Sequence, residues 1–174
     1  MNVDLLQKID GFLGRAEKVF LGASHGIIAV LIIVAVFCRY ALSSPLTWNE
    51  EFVVTLFTWM IFIGLANGFK NRSHIVIEIL MLILPAPLKR VAALISVSVT
   101  LITLAVLVCF GAVEVSQMIE ITTPMLGIST AWSIAALPVG MALALFHVLI
   151  AFLTDGPEAT LWPTAEQTLE TEDA

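Results

Sequence analysis

Four runs of 18 or more residues, over 19–38, 52–69, 91–113 and 131–153, contain no charged side chain, and they decide what this chain can fold into. A helix rises about 1.5 Å per residue, so runs of this length approach or exceed the roughly 30 Å hydrocarbon core of a bilayer. A soluble domain of 174 residues would not carry 59% hydrophobic and only 13% charged residues at a mean hydropathy of +1.00. The solvent is lipid. The expected fold is an all-α integral membrane protein, a single membrane domain over 1–155 with about four spans.

The segments between and around the runs are distinct in kind. Over 2–18, Leu5, Leu6, Ile9, Phe12, Leu13 and Ala16 recur three and four apart, with Asp4, Lys8, Asp10, Arg15, Glu17 and Lys18 on the other faces. This amphipathic helix is too polar to span and is expected in the plane of the membrane surface; the alternative is a plain extension of the first span. The apolar stretch 75–84, started by Ser73 and stopped by Pro85 and Pro87, is too short to cross and reads as a short interfacial helix. Pro138 falls in the fourth span, where neighbouring groups must accommodate the backbone it frees. Residues 156–174 hold acidic and Thr residues with little apolar surface, and a disordered tail is expected.

Charge placement sets the orientation. The formal charge of −6 comes from the last twenty residues, where Asp155, Glu158, Glu166, Glu170, Glu172 and Asp173 have no Lys or Arg among them. Lys8, Arg15 and Lys18 precede the first span, and Lys70, Arg72, Lys89 and Arg90 lie between the second and third, whereas the remaining loops hold only Arg39. By the positive-inside rule both termini are cytoplasmic, in a bacterial inner membrane. No clustered basic surface exists for a nucleic-acid partner.

Catalytic or transport machinery is not visible. No Ser, His and Asp constellation, phosphate loop or metal-ligand spacing falls on one face, so neither an enzyme nor a cofactor or metal site is expected. Cys38 and Cys109 sit in separate apolar runs and read as packing residues. Intramembrane ionisable groups mark transport paths, and only His25 and His147 are candidates, both within about 9 Å of the inner boundary. That geometry admits a bis-histidine haem, as in a membrane anchor of a respiratory complex, although hydrogen-bonded packing is the plainer reading. A small independent channel is the other rival. Gly22 with Gly26, and Gly64 with Gly68, are four apart and suit close helix packing. Arg39 ends the first span, Pro45 bends the connection, Trp48 is an interfacial anchor, and Glu50 and Glu51 open the second span. These residues either stabilise the helix hairpin through an Arg39–Glu pair or meet a partner.

Arg39, Pro45, Trp48, Glu50 and Glu51 are followed by Phe57, Trp59, Phe62 and Gly64, and then by Arg72, Ser73, His74 and Ile75. Leu84, Pro85, Thr123, Pro124, Leu126, Gly127, Ile128, Trp132, Pro138 and Gly140 continue the pattern. It resembles the small membrane subunit, DctQ-like, of tripartite ATP-independent periplasmic (TRAP) transporters, over roughly residues 15–155. The resemblance implies a sodium-coupled uptake system for an organic acid or related solute. Its partners would be a large membrane subunit, which holds the substrate and sodium sites and moves by an elevator motion, and a periplasmic solute-binding protein. The small subunit would need no cofactor, the sodium gradient being used by its partner. It would pack on the static scaffold, with Arg39, Trp48, Glu50, Glu51 and His74 as candidates for partner contact or hairpin stabilisation.

Overall fold

The computed structural model describes residues 3–71 and 85–161. The described residues form helices α1 (Val3–Tyr40), α2 (Asn49–Lys70), α3 (Ala86–Gln117), α4 (Ala131–Ile134) and α5 (Ala136–Leu161). Four helical stretches among them are long and apolar enough to cross a membrane: Leu5–Tyr40, Asn49–Lys70, Leu88–Gln117 and Ala131–Thr154. The expected short helix 75–84, and His74 beside it, lie outside the described residues.

The core forms where α2, α3 and α5 meet. Ala66, Leu104, Met141, Ala144 and Val148 are buried there, with Phe62, Phe69, Leu101 and Val108 packed around them. Close approach of α5 to its neighbours requires small residues. A Cβ on Gly140 would lie 2.7 Å from the Cβ and backbone O of Phe62, and one on Gly111 would lie 3.0 Å from Cδ of Pro138. The glycines singled out from spacing behave differently. A Cβ on Gly22 or Gly26 would meet nothing within 4 Å, whereas one on Gly64 would make ordinary contact with Leu21 at 3.5 Å. Gly22 and Gly26 therefore face away from the bundle, and the spacing alone did not say which way.

Helix α1 stands at the edge, packed chiefly on α2. The sequence reading separated an in-plane helix over 2–18 from a span over 19–38; instead α1 is one continuous helix of 38 residues, about 57 Å along its axis. No proline interrupts it, and Gly11 and Gly14 cost it too little to break. At its far end Ser43 takes a left-handed conformation (φ 51°), and the Ser44 N–H donates to Cys38 O at 3.0 Å, closing the helix.

The fourth span departs from the uninterrupted helix expected over 131–153. It breaks at Ala135 into α4 and α5, which puts Pro138 in the first turn of α5, where a missing N–H leaves no intrahelical bond unmade. Pro85 takes an extended conformation as N-cap of α3, so the prolines read as stopping one helix open the next. Helix α5 continues to Leu161, past the boundary at which the tail was expected, with Gly156 (φ 80°) making a kink. Residues 162–174 lie outside the described set.

Candidate functional site

The inward face of α1 follows a four-three repeat: Asp10, Gly14, Glu17, Leu21, Ser24, then Ile28, Leu31, Ala35 and Cys38, all buried or half-buried. Such a repeat keeps one seam of a helix against its neighbour. Its upper half is apolar or small. Its lower half carries two carboxylates with a glycine between them, and these meet the Lys70 end of α2 and the adjoining part of α5.

His147 of α5 lies between the carboxylates. Its Nδ1 is 2.5 Å from Asp10 Oδ1 and its Nε2 is 2.9 Å from Glu17 Oε1. Glu17 also accepts a hydrogen bond from Asn67 Nδ2 at 3.0 Å, and Asn67 Oδ1 accepts one from Asn71 at 2.7 Å. Lys70 Nζ lies 3.0 Å from Asp10 Oδ2 and donates as well to the Asp10 backbone carbonyl. Gly14 makes this possible, because any side chain there would strike the Lys70 side chain. His147, Glu17 and Asn67 are only 3%, 5% and 7% exposed. Two carboxylates flanking one ring are both satisfied when the imidazole carries a proton on each nitrogen; His147 and Lys70 then face Asp10 and Glu17 in a neutral cluster.

This cluster was not foreseen. Asp10 and Glu17 were assigned to polar faces away from the packing surface, and Asn67 and Lys70 were not linked to them. Their seven-residue spacing with Gly14 between, in phase with Leu21 and Ser24, is the signal that could have found them. The haem arrangement is not formed. Both ring nitrogens of His147 are bound to carboxylates, and His25 Nδ1 is bonded to Leu21 O of its own helix at 2.9 Å.

At the opposite end, Arg39 Nη2 meets Glu50 Oε1 at 3.2 Å across the α1–α2 hairpin, with side chains 56% and 76% exposed. Trp48 precedes α2 and lies edge-on to Phe52 at 6.3 Å. Glu51 turns the other way. Its carboxylate accepts the backbone N–H groups of Met125 (3.0 and 3.1 Å) and Leu126 (2.9 Å). These belong to a loop pinched by Thr123 N–H to Ile128 O (2.8 Å) and Thr130 N–H to Ile121 O (2.7 Å), with Gly127 left-handed at φ 66°. Trp59 Nε1 donates to Trp132 O at 3.1 Å, fixing α4 against α2. The structure thus brings Arg39 to Glu50, and it turns the Glu51 carboxylate from α2 to the separate 121–130 loop. A groove of about 200 Å³ opens beside the pair, lined in part by Ile32, Val36, Arg39, Tyr40, Asn49 and Glu50.

Four helices among the described residues that are long and apolar enough to cross a bilayer define an integral membrane protein. The profile described as "Tripartite ATP-independent periplasmic transporters, DctQ component" matches residues 28–156, and the chain belongs to that family of transporter permease subunits, which are not enzymes. It is 28% identical over 157 residues to the sialic acid TRAP transporter small permease protein SiaQ of Vibrio cholerae, covering 86% of this chain and 84% of that one. The C4-dicarboxylate TRAP transporter small permease protein DctQ of the same organism is 28% identical over 98 residues, 56% of this chain and 42% of that protein. The sialic acid TRAP transporter permease protein SiaT of Haemophilus influenzae is 25% identical over 146 residues, covering 80% of this chain but only 23% of its own length. The chain thus spans less than half the length of these last two relatives.

Proposed function

We propose that this TRAP small permease is the fixed accessory part of a sodium-coupled uptake system for an organic acid or related solute. In this reading it adds helices to the static scaffold of a large membrane subunit, whose elevator motion carries substrate and sodium. Both termini are cytoplasmic, following the positive-inside bias, so the Arg39–Glu50 end and the loop held by Glu51 face the periplasm and the solute-binding protein. No cofactor is needed, since the sodium gradient is used by the partner.

The observation that carries the reading is the self-satisfaction of the polar cluster: its carboxylates, imidazole, amide and ammonium are spent on each other and tie α1 to α2 and α5. Groups so engaged suit a rigid support better than an ion path. SiaT adds support, because its matching segment is part of one much longer permease polypeptide. At the periplasmic end of this reading, Asn49 is buried with no partner for its Oδ1 among the described residues.

Reconstitution tests this. Liposomes holding this chain alone should show no sodium-driven accumulation of solute. Adding the large membrane subunit and the binding protein should restore it, and the chain should co-purify with the large subunit. Accumulation by the chain alone would refute the proposal.

A further inference from the structure

Between Leu5 and Val19 the sequence carries cations and carboxylates in near balance, as Lys8, Arg15 and Lys18 against Asp10 and Glu17. The fold sorts them. Both carboxylates lie on the inward seam, engaged by Lys70, His147 and Asn67, while Lys8, Arg15 and Lys18 are all exposed. On the face opposite the seam, Leu5, Ile9, Phe12 and Val19 are 57%, 41%, 68% and 72% exposed. Between Leu5 and Val19, what looks from composition like a mixed-charge amphipathic helix therefore presents an apolar stripe edged by cations alone.

We propose that this face of α1 binds anionic phospholipid headgroups of the cytoplasmic leaflet, the stripe entering the acyl boundary while Lys8, Arg15 and Lys18 meet the phosphates. Charge complementarity selects this occupant, because withdrawal of Asp10 and Glu17 into the bundle leaves no carboxylate on the face between Leu5 and Val19 to repel a phosphate. Length agrees with it. The roughly 57 Å of α1 exceeds the about 40–45 Å of a bilayer with its headgroups, so a tilted α1 brings its first turns into the inner headgroup layer. The inference rests on the orientation proposed above only in naming the leaflet.

The test uses the full chain carrying Cys38→Ser, Cys109→Ser and Ala16→Cys, with a nitroxide at position 16 on the exposed face, in nanodiscs. In discs with about a third phosphatidylglycerol, the label should be shielded from a water-soluble nickel relaxant severalfold more than in pure phosphatidylcholine. Lys8→Gln with Arg15→Gln and Lys18→Gln should abolish that difference. Should the triple variant misfold, about 0.5 M salt applied to the unsubstituted helix should abolish it equally, by screening. Equal shielding in both lipids would overturn the proposal. Shielding that appears only when the large membrane subunit is added would also overturn it, and would assign the face to that protein instead.

Discussion

At the scale of single residues, His147 ties α5 to α1 through two contacts. His147→Phe would leave Asp10 and Glu17 short of a donor in a buried site, a loss of about 3 kcal/mol or more by analogy with other broken buried pairs. His25→Phe removes only an exposed bond to the same helix and should stay within about 0.5 kcal/mol. Thermal unfolding in detergent would compare them, and equal losses would contradict the cluster. Glycines give a second contrast. Gly140→Ala must push α5 from the Phe62 backbone and should cost about 1–3 kcal/mol, whereas Gly22→Ala meets open space and should not destabilise the isolated chain. The same unfolding measurement decides it.

At the scale of elements, much was legible. The apolar runs located four crossing helices because lipid demands long uncharged segments, and that demand is written residue by residue. Facing was less legible. In water an amphipathic helix turns its apolar side inward, and Leu5, Ile9 and Phe12 invite that assumption; here the polar seam of Asp10 and Glu17 turns inward and the apolar side outward. Only the complementary groups on α2 and α5 make this favourable, and they lie 50 to 137 residues away in sequence, beyond the reach of periodicity. Arg39 pairing with Glu50 was readable from the hairpin, but the attachment of Glu51 to a loop 74 and 75 residues downstream was not. Glu51→Ala should speed amide exchange at Met125 and Leu126, seen by hydrogen–deuterium exchange. Unchanged rates would mean that the loop holds its shape without the carboxylate.

At the scale of the whole molecule, the separation of the two ends matters. The exposed Arg39–Glu50 pair contributes at most about 1 kcal/mol to folding, so Arg39→Ala should leave the melting temperature nearly unchanged. If the pair instead helps meet a partner, the same variant should weaken reconstituted uptake while the ligand affinity of the isolated binding protein stays as it was. Normal uptake with Arg39→Ala would confine the residue to the hairpin. Nitroxides at positions 8 and 40 of a cysteine-free chain should give one narrow distance distribution near 48 Å, whereas a broad or short one would reveal a bend.

An unbroken α1 has a mechanical meaning. Asp10 and Arg39 stand on a single shaft about 44 Å apart with no hinge between them, so a tilt imposed at one membrane face must reappear at the other. Such a member props a neighbour like a mast stepped at its foot, with the imidazole and ammonium as the step.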